Sequence, residues 1–89
     1  MNKDELDGLR RKIDGIDAHL LQLLAQRLTI GKEIGEYKKK HGLPIQNKGR
    51  EKEIIKDRAQ KLKGLGFDDE RFVQELFELI MRKAREVQK

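Results

Sequence analysis

The chain has 89 residues, which is enough for one domain and too few for two. It has no cysteine, which excludes disulfides and thiolate metal sites, and its 21 basic and 16 acidic residues are interspersed as on a solvated helical surface rather than grouped as in a nucleic-acid footprint. No stretch has the apolar character of a signal peptide or the length to span a bilayer, so we expect a cytoplasmic protein with neither nucleic-acid nor membrane partners.

The first predicted element is a long helix over about residues 4 to 40. Asn2 or Asp4 can cap its start, and Gly42 and Pro44 stop it. Its apolar residues recur at alternating steps of three and four, which predicts a heptad seam about five repeats long. The seam consists of Leu6, Leu9, Ile13, Ile16, Leu20, Leu23, Ile30, Ile34 and Tyr37.

Two shorter helices follow. The second is predicted over about residues 48 to 63, with Asn47 as its N-cap. The third is predicted over about residues 69 to 88, with Asp68 or Asp69 as its cap. Its apolar positions are Phe72, Val73, Leu76, Phe77, Ile80, Ala84 and Val87.

The length of the first helix predicts a dimer. A helix over residues 4 to 40 would measure about 55 Å at 1.5 Å per residue. A compact chain of this size has a diameter of only roughly 30 Å. The helix would therefore extend beyond its own domain with apolar residues uncovered, and a second chain must cover them. We predict an all-α fold, in which a single domain of residues 1–89 with three helices (long, short, medium) forms an intertwined homodimeric helical bundle.

Arg27 interrupts the apolar seam in the middle of the first helix. A buried guanidinium without an anion costs several kcal/mol of folding free energy. Arg27 is therefore part of a structural ion pair, a polar residue that sets the register of a coiled coil, or the ligand of a bound anion. Lys38 lies three turns further along the same face, and Gly31 lies between the two cations. Two interpretations are open: either Gly31 leaves space for a small anion, or Gly31 and Gly35 let another helix approach closely.

Arg10 lies on the same stripe 17 residues before Arg27, which is about 25 Å along one helix. One small ligand can touch both only if Arg10 comes from the other protomer, as an antiparallel crossing of the long helices allows. Arg50 and Glu51 share the inward side of the second helix, and Gln88 ends an apolar row on the third. Taken singly, each of these is also explained as a solvated charge or a frayed helix end.

Motifs of other enzyme classes are missing. His19 and His41 have no metal-ligand spacing to each other or to paired carboxylates. There is no phosphate-binding loop, no dinucleotide-binding motif and no Ser/His/Asp or Cys/His set. We therefore expect no metal and no cofactor, and any reaction must proceed without an enzyme nucleophile.

The sequence resembles the all-helical chorismate mutases over nearly its whole length. The first helix is similar in the run Leu9-Arg10-x-Lys12-Ile13-x-x-Ile16-Asp17-x-x-Leu20-Leu21-x-Leu23-Leu24-Ala25-x-Arg27. The match continues, with one small length difference near the second loop, in Gly35-x-x-Lys38, Pro44-Ile45, Arg50-Glu51 and Leu76-Phe77-x-Leu79-Ile80. The resemblance implies an interlocked dimer that rearranges chorismate to prephenate, on the way to phenylalanine and tyrosine.

The resemblance also implies roles for individual residues. Arg27 and the Arg10 of the other protomer would hold the two substrate carboxylates. Lys38 would contact a carboxylate and the ether oxygen, Gln88 the ether oxygen, and Glu51 the ring hydroxyl. The rest of the implied substrate-binding set is Arg50 in the polar lining, Asn47 where relatives often have Asp, and Ala84 where some have a carboxylate-binding Ser.

Two other functions remain open at this point. An isochorismate pyruvate lyase uses the same fold and a similar cationic pocket for a related pericyclic elimination. A non-catalytic helical dimer that senses chorismate or an aromatic amino acid is the alternative outside catalysis. Many relatives are fused to another enzyme of the aromatic pathway, so a partner enzyme bound in trans is a further expectation.

Overall fold

The computed structural model describes residues 2–89, and within that range it contains helices and no strand. The prediction of an all-helical chain is confirmed. None of the helices is long and apolar enough to cross a membrane among the described residues. The helices are α1 (Lys3–Lys40), α2 (Lys48–Gly64) and α3 (Glu70–Gln88).

Each helix begins where a side chain can satisfy a free backbone N–H group. In all three the cap oxygen accepts from the amide nitrogen three residues further on, which is the usual N-cap geometry. The caps are Asn2, Asn47 and Asp69. The first helix ends just before Gly42, whose φ of 65° lies in the left-handed region that favours glycine.

The chain divides into an N-terminal unit that ends at Ile30 and a second unit, Gly31–Lys89. The N-terminal unit contains most of α1, and eight of its large apolar side chains are 38% to 66% exposed. Contiguous apolar surface of this kind marks an interaction site in soluble proteins. We call these residues the apolar stripe of α1: Leu6, Leu9, Ile13, Ile16, Leu20, Leu21, Leu23 and Ile30.

In the second unit α2 packs against α3. The buried apolar side chains are Ile54 from α2 and Val73, Met81 and Ala84 from α3. Met81 was absent from the predicted apolar positions of this helix, whereas the predicted Phe72 and Leu76 are 53% and 39% exposed. The reason is that the apolar residues of α3 form one broad face, so its periodicity alone does not identify which part of that face α2 covers.

A local charge cluster lies on the surface of α2. The Asp57 carboxylate accepts a hydrogen bond from Arg58 over 2.5 Å and contacts Lys61 at 3.1 Å. The pKa of Asp57 is lowered from its ordinary value of 3.8, chiefly by the Arg58 hydrogen bond and then by the one from Lys61. A carboxyl whose pKa is lowered by folding stabilises the fold above its unfolded pKa, and this contribution disappears as the pH falls through the folded value.

Candidate active site

The last turns of α1 hold the C-terminal end of α3 through a lysine and a glutamine. The Lys38 Nζ donates to Gln88 Oε1 over 3.0 Å and to the backbone oxygen of Ile45 over 2.6 Å. Gln88 is only 9% exposed, although its penultimate position is one where helices fray. The sequence left open whether this helix end is ordered, and here the Lys38 side chain and the α1 backbone at Gly35 hold Gln88 in place.

Two glycines of α1 explain how α3 comes so close. A Cβ atom on Gly35 would lie 2.7 Å from Gln88 Cα and 2.9 Å from Gln88 Cβ, which is closer than real Cβ contacts. A Cβ on Gly31 would lie 3.4 Å from Val87 Cγ2. Of the two interpretations of these glycines, close helix approach is therefore the one that fits, and the position beside Gly31 faces Val87 rather than open space.

The lysine contact sets the orientation of the glutamine amide. Because Oε1 accepts from Lys38, the two Nε2 hydrogens of Gln88 point away from that lysine. Lys38 has three N–H donors and uses two of them on protein oxygens, so one remains for an acceptor from outside the chain. The pair therefore offers N–H donors from both a fixed cation and a fixed neutral amide, which suits an oxygen on which negative charge develops.

Glu51, in the first turn of α2, is held by the protein on both of its carboxylate oxygens. Arg85 donates to Oε2 over 2.5 Å and Gln46 donates to Oε1 over 3.3 Å. The Arg85 and Glu51 side chains are 27% and 22% exposed, so this ion pair is partly shielded from water. We call it the Arg85–Glu51 pair.

Sequence reasoning missed Arg85. The available signal was its position, directly after the small residue Ala84 and three residues before Gln88, which places it near the inward row of α3. Recognising it also requires knowing that α2 presents Glu51 to that side of α3. That information comes from helix packing and not from either helix alone.

The remaining predicted site residues of the second unit differ in their exposure and in their contacts. Ala84 is buried and offers only a methyl group. The Asn47 side chain caps α2 by accepting from the Arg50 amide over 3.0 Å. The Arg50 side chain is 58% exposed and faces Glu53 at 3.6 Å, so the expectation that it shares the inward side with Glu51 does not hold within the single chain.

The N-terminal unit carries the two other predicted arginines. Arg27 is half-buried on α1. Arg10 is exposed, with its guanidinium 3.9 Å from the carboxylate of Asp7. An exposed pair at that distance contributes little to stability, so Arg10 is available to another anion at low energetic cost.

We find no group of three or more His, Asp or Glu side chains in residues 2–89 that is arranged to hold a metal ion. The polar groups that the second unit gathers are one ammonium, one amide and one carboxylate–guanidinium pair. Groups of these kinds can bind and orient an anionic ligand through charge and hydrogen bonds.

Two of the known proteins similar to this chain are mutases named for different substrates. Chorismate mutase of Methanocaldococcus jannaschii is 35% identical over 86 residues, which are 97% of this chain and 86% of that protein. The 4-amino-4-deoxychorismate mutase of Streptomyces venezuelae is 33% identical over 86 residues, 97% of this chain and 82% of that protein. The T-protein of Enterobacter agglomerans is 36% identical over 80 residues, but the chain spans only 21% of its length.

A solved structure and a family description agree with these similarities. A conserved hypothetical protein from Pyrococcus furiosus has a TM-score of 0.79 and 34% identity, over 99% of this chain and 100% of that one. Residues 9–89 match the family described as chorismate mutase type II. The match covers all but the first eight residues and includes every predicted site residue from Arg10 to Gln88. The chain belongs to the chorismate mutase type II family.

Proposed function

We propose that this chain converts chorismate to prephenate as a homodimer, in a site where Lys38 and Gln88 face the breaking ether bond. The observation that carries the proposal is the partly buried Lys38–Gln88 hydrogen bond, which places a cation and an oriented amide side by side. Family membership supplies the reaction class, which is an isomerisation. The arrangement of donors supplies a means of accelerating it.

The proposed reaction balances within the substrate. In this intramolecular Claisen rearrangement the C–O ether bond breaks while a C–C bond forms, so no proton is transferred and no redox partner is needed. The protein must hold a flexible dianion in its compact reactive conformer. It must also stabilise the negative charge that grows on the ether oxygen in the transition state.

The ether oxygen is the proposed target of Lys38 and Gln88. The Lys38 ammonium contributes charge and its remaining N–H donor, and the Gln88 Nε2 contributes a neutral donor on a fixed side chain. Because both are held by the protein before substrate binds, little reorganisation accompanies the reaction. Neither group has to change its protonation state, so we expect activity to be flat from about pH 6 to 9.

Arginines are the proposed ligands of the two substrate carboxylates. Arg27 would hold one of them, and Arg10 of the second protomer the other, since bidentate guanidinium pairing suits carboxylate geometry. Glu51 would accept from the ring hydroxyl. Ala84 gives a carboxylate no hydrogen bond, and Asn47 contributes indirectly by capping α2, whose first turn carries Arg50 and Glu51.

The homodimer is proposed from the apolar stripe of α1. Ile13 and Ile16 are 56% and 66% exposed in the single chain, and burying such side chains stabilises by about 1.5 to 3 kcal/mol each. A seam at heptad spacing is the surface that a second α1 fits. An antiparallel crossing would also bring Arg10 of one protomer towards Arg27 of the other.

The test is chorismate consumption by the purified protein, followed by absorbance with identification of the product. We expect rapid formation of prephenate and a loss of at least about 100-fold in kcat/KM for Arg27→Ala, because a carboxylate ligand is removed. Arg71→Ala, at a site that is 89% exposed on α3, is the matched control and should leave the rate unchanged. No conversion of chorismate by the wild-type protein would overturn the proposal.

A further inference from the structure

We infer that Arg85 determines which ring substituent the site accepts, by neutralising Glu51 so that a hydroxyl is preferred over an amino group. The inference rests on the proposed function and on the proposed contact of Glu51 with the ring. It adds a specificity residue to that site. Similarity alone leaves this question open, because mutases of chorismate and of 4-amino-4-deoxychorismate match the chain at 35% and 33% identity.

The Arg85–Glu51 pair is built into the packing of α2 on α3. The contact of 2.5 Å joins the two helices, and both side chains are less than one-third exposed. Gln46, in the loop before α2, donates to the other carboxylate oxygen over 3.3 Å. Its neighbour Ile45 accepts from Lys38, so the pair is continuous with the Lys38–Gln88 cluster through adjacent residues of that loop.

The charge balance of this pair bears directly on the two substrates. They differ in that the amino compound has nitrogen where chorismate has a ring hydroxyl, and an aliphatic amine is largely an ammonium at neutral pH. An isolated partly buried carboxylate would attract that ammonium strongly. A carboxylate paired with a guanidinium has no net charge to offer, and the guanidinium itself repels a second cation.

The binding of a neutral hydroxyl to Glu51 is weakened much less when Arg85 neutralises the carboxylate. A carboxylate has about four lone-pair sites, and Arg85 and Gln46 use one on each oxygen, so Glu51 keeps acceptor capacity for an O–H donor. Arg85 thus weakens binding of the charged substituent while leaving the hydroxyl contact in place. Discrimination by such an unfavourable charge is a general route to specificity.

The test compares kcat/KM for chorismate and for 4-amino-4-deoxychorismate in four proteins: wild type, Arg85→Gln, Arg85→Lys and Arg82→Gln. We expect the chorismate-to-amino ratio to fall about tenfold or more in Arg85→Gln and to be restored largely by Arg85→Lys, which keeps the charge. Arg82 is an exposed arginine one turn earlier on α3, so Arg82→Gln should leave the ratio unchanged. An equal loss on both substrates would mean that Arg85 is only structural, and would overturn the inference.

A second variant covers the case in which Arg85→Gln does not fold. Glu51→Gln leaves the Arg85 cation without its carboxylate, and that uncompensated cation repels the ammonium of the amino substrate. The chorismate-to-amino ratio of kcat/KM should therefore rise rather than fall. No rise would also overturn the inference. Failure of the proposed function would be seen separately, because the wild-type protein would then not convert chorismate at all. The ratio of the two kcat/KM values tests only the role of Arg85.

Discussion

The Lys38 ammonium and the Gln88 amide oxygen lie 3.0 Å apart, and this hydrogen bond determines which end of the amide is free to act as a donor. The contact joins residues 50 positions apart in the sequence and depends on the close approach of α3 to Gly35. The proposed chemistry therefore depends on a backbone contact as much as on the polar residues themselves.

The Gly35 contact gives the first prediction. In Gly35→Ala the new Cβ would lie 2.7 Å from Gln88 Cα, so the end of α3 must move and Gln88 loses its position beside Lys38. We expect kcat to fall by up to about 100-fold while the helical circular dichroism is retained. Gly64→Ala is the control, because a Cβ there meets no atom within 4 Å. A Gly35→Ala protein with wild-type kcat would show that Gln88 need not be held so closely.

The neutral charge of Gln88 leads to a pH prediction. Gln88→Glu places a carboxyl beside Lys38, and the ammonium favours its ionised form and lowers its pKa. Only the protonated form donates to the ether oxygen, so activity should increase as the pH falls. The wild type should stay flat from about pH 6 to 9, and so should Gln60→Glu, an exposed change on α2. An equally flat pH profile for Gln88→Glu would show that this side chain does not donate to the ether oxygen.

The apolar stripe of α1 leads to a prediction about assembly. Light scattering at micromolar concentration should give the mass of a dimer for the wild type. Ile16→Glu should shift it to a monomer and abolish activity, because a charge in the seam would be buried without a partner. Leu65→Glu changes a residue that is 77% exposed outside α1, and it should remain dimeric and active. A monomeric, fully active wild type would contradict the shared site.

The proposed origin of Arg10 in the second protomer is tested by mixing two inactive variants. Arg10→Ala and Arg27→Ala should each be inactive alone. After random subunit exchange, half of the dimers are mixed and each contains one intact site, so about a quarter of the wild-type activity should return. If exchange is demonstrated and no activity returns, each site is built from a single chain.

Much of the fold follows from local sequence signals. The stop at Gly42 and the caps Asn2, Asn47 and Asp69 depend on residues within one turn of each helix boundary. For the same reason the helices begin and end within about one residue of the predicted bounds, and α3 begins after its cap rather than on it.

What could not be predicted depends on the rotation and approach of one helix against another. Met81 is buried and Phe72 is exposed because of the face that α3 turns towards α2. Arg85 meets Glu51 for the same reason, and Gln88 is buried because Gly35 admits its backbone. These are contacts between distant segments, so periodicity and capping signals carry no information about them.

The most direct test of the central claim is to incubate the wild-type protein with chorismate and, in parallel, with isochorismate, and to identify the products by proton NMR. We expect chorismate to be replaced by prephenate at a rate far above the uncatalysed rearrangement, and isochorismate to release no pyruvate. Unchanged chorismate together with pyruvate release from isochorismate would contradict it and identify the cationic site as that of a lyase.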